Sequence, residues 1–157
     1  MPNKHKRKEQ VGLSTVENDI FVGAVRYTDK MLAEINQLLS IWGMTVLQYN
    51  ALRILYVYDE KNTGLPSGDI GKYLYTRVPD VTRLLDRLAD KGWLIRERDS
   101  NNRRVVRARL TKIGIELVES IYLPLNELEE KNLAHMNNTD KLELKRLLDL
   151  ALNQAKK

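Results

Sequence analysis

The chain has 157 residues, of which 43% are hydrophobic and 30% charged, a composition typical of a globular domain with a sizeable core. It contains no cysteine, which excludes disulfides, zinc–thiolate sites and iron–sulfur clusters. The formal net charge is +5, and most of the excess lies in one internal segment, residues 76–112, with eleven basic and five acidic side chains.

The basic segment indicates a polyanionic partner, most simply nucleic acid, with a solvated basic surface as the alternative interpretation. Residues 1–12 are also basic and lack an apolar stretch, so we expect a disordered arm rather than a secretory signal. No apolar run approaches the about 18 residues that a membrane helix needs. We therefore expect no membrane partner and a cytoplasmic location.

The first elements are predicted to be two helices. Ser14 and Glu17 form a capping box, with Ser14 as the cap, ahead of apolar residues spaced three and four apart over about residues 15–41. Gly43 is expected to end this helix, and a second helix follows to about Asp59. A turn over 62–64 and a very short strand at 65–66 come next, before a short helix that Ser67 is expected to cap.

The following elements change from helical to strand periodicity. Pro79 fits the first turn of a helix that Gly92 ends. Segments 93–98 and 104–110 then alternate apolar and arginine residues around turn-forming residues 99–102, which predicts a β-hairpin with one basic face. Helical periodicity returns from Thr111, where Pro124 should kink or divide the helix, and Thr139 is expected to cap the last helix.

This order of elements predicts a winged helix–turn–helix: a mainly α fold with a small β-hairpin and long flanking dimerisation helices. We assign residues 1–12 to the basic arm and 13–44 to an N-terminal dimerisation helix. Residues 45–112 form the predicted DNA-binding lobe, and 113–157 form the C-terminal dimerisation helices. The apolar residues expected at a dimer interface are Ile20, Phe21, Leu123, Leu125, Leu144, Leu147 and Leu148.

Three segments resemble a known family. Val81–Leu88 is similar to the recognition helix of the multiple-antibiotic-resistance regulator (MarR) family, and Lys91–Arg96 to its helix-to-wing junction. Arg103-Arg104, followed by Leu110-Thr111 and Gly114, resembles its wing tip and return. The spacing agrees across about residues 45–114, and the flanking helices extend the resemblance over nearly the whole chain. The resemblance implies a transcription regulator, here interpreted as a repressor that binds a pseudo-palindromic operator as a homodimer.

Three positions depart from the family pattern. Asn102 replaces an acidic residue that often orients the second wing arginine, although Asp99 is near enough to substitute. Residues 75–77, Tyr-Thr-Arg, replace a turn that often contains glycine, and Pro79 replaces a small polar residue. These departures bear on base specificity rather than on DNA binding itself.

The candidate DNA-binding residues share a polar side chain on the recognition helix, at its approach or at the wing tip. On the recognition helix, Arg83 and Arg87 could instead be solvated partners of nearby aspartates, and the wing arginines could simply keep a hairpin soluble. Ser67 belongs to the set because a helix N-terminus can accept a phosphate. The full set is Ser67, Arg77, Asp80, Thr82, Arg83, Arg87, Arg103 and Arg104.

Three aromatic residues, Trp42, Tyr49 and Tyr56, fit a core or subunit interface. The resemblance offers a second interpretation, since many family members bind a small apolar or phenolic effector. Only two histidines occur, and no nucleophile–base–acid set or phosphate-binding glycine loop is present, so we expect no metal, no cofactor and no enzyme activity.

Two function classes remain open on the sequence. The first is a regulator that binds duplex DNA, and the second is a winged-helix module that docks to another protein without sequence-specific DNA binding. The six arginines between Arg96 and Arg109 favour DNA, because a protein-docking face does not need them.

Overall fold

The computed structural model of the chain describes residues 15–59, 61–76 and 78–153. The predicted basic arm therefore lies outside the described residues, as does Arg77. The chain forms two compact units, residues 1–46 and 47–157. Within the described ranges it has six α-helices and one three-stranded antiparallel sheet, which confirms the predicted mainly helical, winged-helix fold class.

In its described residues, the first unit contains one long helix, α1 (Val16–Leu39), and a single 3₁₀ turn, Ser40–Trp42. Thr15 caps α1, because its hydroxyl oxygen accepts a hydrogen bond from the Asn18 N–H at 3.1 Å. The prediction of Ser14 as the cap is therefore wrong by one residue. Gly43 ends the segment in a left-handed conformation (φ 61°), as predicted.

The second unit contains the remaining elements. Their order, helix–strand–helix–helix–strand–strand–helix–helix, is that of a winged helix–turn–helix, and the last two helices are long. The elements are α2 (Val46–Tyr58), β1 (Leu65–Pro66), α3 (Ser67–Tyr73), α4 (Val81–Asp90), β2 (Leu94–Arg98), β3 (Val106–Leu110), α5 (Lys112–Asn132) and α6 (Asn138–Asn153).

The sheet has the order β1-β3-β2, so the predicted hairpin gains a third strand. In the register of the sheet, Ala108 of β3 pairs with Leu65 of β1 on one side and with Arg96 of β2 on the other. Alternation along β3 buries Ala108 and Leu110, as the period-two pattern predicts. The short strand predicted at residues 65–66 is confirmed.

Helix α4, the predicted recognition helix, is held by its apolar face. Leu84, Leu85 and Leu88 are buried, and burial of one such leucine contributes roughly 1.5–3 kcal/mol. These three leucines fix the helix with its polar face outward. Other large side chains that are fully buried in this unit are Leu52, Leu55, Ile70, Leu94 and Ile121.

The ends of α4 differ in how well they were predicted. Asp80 is the N-cap, and its Oδ1 accepts a hydrogen bond from the Arg83 N–H at 2.9 Å. Pro79 therefore precedes the helix instead of occupying its first turn. At the other end Gly92 has φ 73° and donates to the Ala89 carbonyl, while the Trp93 N–H donates to the Leu88 carbonyl. This pair of bonds satisfies the last carbonyls of the helix, as predicted.

The last two helices exclude one of the two effects predicted for Pro124, a divided helix, and correct the predicted cap of the last helix. Helix α5 is continuous through Pro124, so the proline does not divide it. Asn137, rather than Thr139, provides the cap of α6, since its Oδ1 accepts a hydrogen bond from the Asp140 N–H at 2.9 Å. Among the described residues, none of the helices combines the length and the hydropathy of a membrane-spanning segment.

Candidate nucleic-acid interface

Helix α4 presents three of the predicted side chains to solvent. Thr82, Arg83 and Arg87 are all exposed, on the side opposite the buried leucines. Within the described residues neither arginine takes part in an ion pair. Two aspartates that could have paired with these arginines have other partners. Asp80 caps the helix, and Asp86 forms an ion pair with Arg96. Both guanidinium groups can therefore meet a ligand without first breaking a salt bridge.

The wing tip is organised by side chains that bind its own backbone. The Asp99 N–H donates to the Val105 carbonyl at 2.9 Å and closes the turn. Asp99 Oδ1 accepts hydrogen bonds from the N–H groups of Asn101 at 2.8 Å and Asn102 at 3.0 Å. Asn102 Oδ1 in turn accepts from the Arg104 N–H at 3.1 Å. The turn therefore presents Arg103 and Arg104 as exposed side chains.

Asp99 does not orient the wing-tip arginines as expected. Its Oδ2 accepts a hydrogen bond from Nε of Arg107, three residues beyond Arg104. The Arg107 bond, supported by the two backbone N–H groups, lowers the pKa of Asp99 below its ordinary value. Among the described residues Arg103 and Arg104 form no ion pair.

A groove of about 480 Å³ joins the predicted residues Ser67, Thr82 and Arg104. Ser67 is the first residue of α3 rather than its cap, and its hydroxyl donates to the Val106 carbonyl at 3.0 Å, which ties α3 to β3. The groove thus lies where α3, α4 and the wing meet. Its complete lining is Pro66, Ser67, Gly68, Asp69, Lys72, Thr82, Arg96, Arg104, Val105 and Val106.

Two cationic residues of this groove were not predicted as site residues. Lys72 donates to Asp69 Oδ1 at 2.7 Å, and that hydrogen bond raises its pKa. Arg96 contacts Asp86 through Nη1, while its Nε has no hydrogen-bond partner among the described residues. Lys72 lies on α3 and Arg96 on β2, two elements that the sequence predicts, so what the sequence did not show was that both residues lie close to Thr82 and Arg104. Of the other predicted residues, Asp80, Arg83, Arg87 and Arg103 are exposed but do not line the groove.

The three aromatic candidates have different environments. Tyr49 is 4% exposed, and burial raises its pKa. Tyr56 is exposed, and its hydroxyl donates to Glu119 Oε1 at 3.0 Å, which raises its pKa. Trp42 is half-buried in the 3₁₀ turn. No group of three or more histidine, aspartate or glutamate side chains in the described residues could hold a metal ion.

A fold with a short helix, a polar-faced helix and a cationic hairpin around one groove defines a winged helix–turn–helix protein. The MarR family model matches residues 44–106. A MarR transcription factor from Planctomyces limnophilus is 32% identical, with 87% of this chain and 98% of that chain covered and a TM-score of 0.67. The chain belongs to the MarR family of transcription regulators.

Two other relatives are informative. The structure of S. aureus MepR in complex with DNA is similar to this chain, with 26% sequence identity and a TM-score of 0.77. The match covers 90% of this chain and 99% of the MepR chain. The transcriptional repressor MprA of Escherichia coli K12 is 23% identical over 118 residues, which are 75% of this chain. The alignment spans 66% of that repressor, so about two thirds of its length.

Proposed function

We propose that the chain is a transcription repressor that binds a pseudo-palindromic DNA operator as a homodimer and occludes a promoter. The observation that carries this proposal is the groove that joins Thr82 of α4 with Arg104 of the wing. On one concave surface, a recognition helix can enter the major groove of DNA while a basic hairpin contacts the adjacent backbone or minor groove. The DNA complex of MepR and the repressor name of MprA support the same conclusion.

In the proposed complex the two cationic elements have different tasks. Helix α4 enters the major groove, where Thr82 and Arg83 reach base edges and Arg87 reaches a phosphate. Arg104 enters the minor groove, whose edges carry little sequence information but whose negative potential attracts a guanidinium group. Of the residues outside the described ranges, Arg77 is proposed as a further contact near the start of α4.

The proposed homodimer is supported by apolar residues that a single chain leaves in water. Ile20, Phe21, Leu123, Leu147 and Leu148 are all exposed, while Leu125 and Leu144 are half-buried. A two-fold dimer would place its recognition helices about 34–36 Å apart, one helical turn of DNA. This spacing is what a symmetric operator requires.

We also propose that a small apolar or aromatic ligand releases the DNA by changing the separation of the two recognition helices. A thiol switch is chemically excluded because the chain has no cysteine. Tyr49 is the aromatic residue to test, and a panel of small phenols and aromatic acids is the probe. Because the proposed target is genomic DNA, the proposed location is the cytoplasm.

A salt titration tests the proposed function. The wild-type chain is mixed with a generic duplex of about 30 base pairs, long enough for two half-sites one turn apart. We expect log affinity to fall linearly and steeply with log salt concentration, because each neutralised phosphate releases a counterion. Selection from a random pool of such duplexes should then enrich an inverted repeat. Absence of binding at low salt would contradict the proposal and favour the protein-docking alternative.

A further inference from the structure

We propose that Asp99 and Arg107 are positioning residues that fix the wing turn for DNA contact. Together with the Gly64 carbonyl they form what we term the wing latch. This inference rests on the proposed function, because the latch acts through Arg104, the wing-tip arginine that lines the groove. It assigns a DNA-binding effect to two side chains that lie away from that groove.

The latch joins the wing to the loop ahead of β1. Arg107 donates from Nε to Asp99 Oδ2 and from Nη1 to the Gly64 carbonyl oxygen at 2.8 Å. The side chain of Asp99 is only 12% exposed, so this pair is partly shielded from water. The Gly64 N–H is itself bound, at 2.8 Å, by Oδ2 of Asp59. One arginine thus bridges the wing turn and a loop that has its own carboxylate anchor.

The latch continues into the backbone of the wing tip. Asp99 accepts from the N–H groups of Asn101 and Asn102, and Asn102 accepts from the N–H of Arg104. A continuous series of hydrogen bonds therefore runs from Arg107 to the backbone of the residue that faces the groove. A turn fixed before binding loses less conformational freedom when it meets DNA, which strengthens binding without any new contact.

The contact between Arg107 and the loop ahead of β1 requires glycine at position 64. Gly64 has φ 91°, and a Cβ atom there would lie 3.0 Å from the Arg107 Cβ. Only a residue without a side chain fits both the conformation and the approach. Arg109, two residues along the same strand, forms an ion pair with Glu97 at 3.3 Å and has no hydrogen bond to the wing turn. The Glu97–Arg109 pair is therefore a matched control for the latch.

The first experiment compares Asp99→Asn with Glu97→Gln. Each change removes one negative charge from the wing, so simple electrostatics predicts that both variants bind DNA as tightly as wild type or more tightly. The latch predicts the opposite for Asp99→Asn: about tenfold weaker binding to an A-tract duplex of about 30 base pairs, the size of one lost charged hydrogen bond. Equal affinities for the two variants would overturn the inference.

The second experiment asks whether the latch acts through Arg104. In a double-mutant cycle, Arg104→Ala should cost much less in the Asp99→Asn background than in wild type, whereas Arg83→Ala should cost the same in both. If Asp99 has a purely structural role, the affinity losses of Arg104→Ala and of Arg83→Ala should each simply add to that of Asp99→Asn. This outcome would contradict the inference. Arg107→Lys keeps the charge but can hold only one of the two acceptors, and should bind with intermediate affinity.

Amide exchange separates the failure of the latch from the failure of the proposed function. The amides of Asn101 and Asn102 should exchange faster in Asp99→Asn than in Glu97→Gln, with no DNA present. Unchanged exchange would overturn the latch even if the chain binds DNA. If wild type binds no duplex at low salt, the proposed function fails and the DNA-positioning role fails with it, whatever the exchange rates.

Discussion

At the scale of single residues, Arg104 and Arg83 are both exposed cations, but they belong to elements that contact DNA differently. Arg104→Ala should lower the slope of log affinity against log salt by about one unit and cost about 1–3 kcal/mol. Because a minor-groove contact reads little sequence, the loss should be similar for the selected operator and for random duplex. Filter binding or fluorescence anisotropy over a range of salt concentrations measures both quantities.

Arg83→Ala should instead reduce the preference for the operator over random duplex, since a major-groove arginine reads a base edge. The comparison is made at one salt concentration with both duplexes. Lys145→Ala is the matched control, because it removes one cation from α6, where Lys145 pairs with Asp149 at 2.7 Å.

The Arg104→Ala variant also tests the wing itself. If Arg104→Ala changes neither affinity nor slope while the fold is intact, the hairpin is not a DNA-binding wing.

The lowered pKa of Asp99 predicts how the wing responds to acid. A carboxyl group with a folded-state pKa below its unfolded value of about 3.9 stabilises the fold above that value, and its contribution is lost as pH falls through the folded-state pKa. The Asp99–Arg107 bond should therefore be insensitive to pH between about 5.5 and 8 and should break only below about pH 4. A carbon-detected NMR titration of the carboxyl groups measures this. A midpoint above the ordinary aspartate value would be incompatible with the bond.

Residue roles were predictable where the local sequence decides them. Four turn-forming residues before Arg103 were enough to predict that the wing arginines are exposed. The partner of Asp99 was not predictable, because Arg107 lies across the turn and the choice between it and Arg104 depends on how the turn closes. The residues Lys72 and Arg96 join the groove only through the packing of α3, α4 and β2.

At the scale of elements, the junction between β3 and α5 depends on Gly114. A Cβ atom at this position would overlap the Trp93 carbonyl oxygen and lie 3.3 Å from Leu110 Cδ2. The same carbonyl accepts the Thr111 N–H at 3.1 Å, so it cannot easily move. Gly114→Ala should destabilise the fold by about 1–3 kcal/mol or more, the usual cost of overpacking.

Chemical denaturation of the wild type and Gly114→Ala measures this cost. Gly23→Ala is the control, because a Cβ atom there meets nothing within 4 Å and α1 should gain slightly in helix propensity. A Gly114→Ala variant as stable as wild type would mean that the junction can accommodate a Cβ atom, which would contradict this prediction.

Elements were predicted well in their existence and less well at their ends. The helix starts were displaced because neighbouring polar residues, such as Asn137 and Thr139, can all cap a helix in principle. Backbone geometry selects one of them. The pairing of β1 with β3 was also beyond the sequence, since a strand of two residues carries almost no periodicity.

At the scale of the whole molecule, the proposed dimer makes a direct prediction. Leu147 and Leu148 on α6 are 47% and 48% exposed, and a partner chain would bury these apolar side chains away from water. The wild type should sediment as a dimer at micromolar concentration. Replacing both leucines by glutamate, or deleting residues 139–157, should yield monomers with weakened operator binding.

Ile113→Glu controls for the effect of a surface charge, because Ile113 is 62% exposed on α5 and is not a proposed interface residue. This variant should remain dimeric. A wild-type monomer at micromolar concentration, or a tight dimer after the deletion, would contradict the role assigned to α6.

The contact between Arg107 and Gly64 also has a consequence for how the chain folds. The two residues are 43 positions apart, whereas β2 and β3 are joined by a short turn. The hairpin can form early from local contacts, but β1 must close a long loop before it pairs. Substitutions at this contact should therefore accelerate unfolding while leaving the refolding rate nearly unchanged. The pairing of β1 with β3 should therefore be completed last during folding and lost first during unfolding.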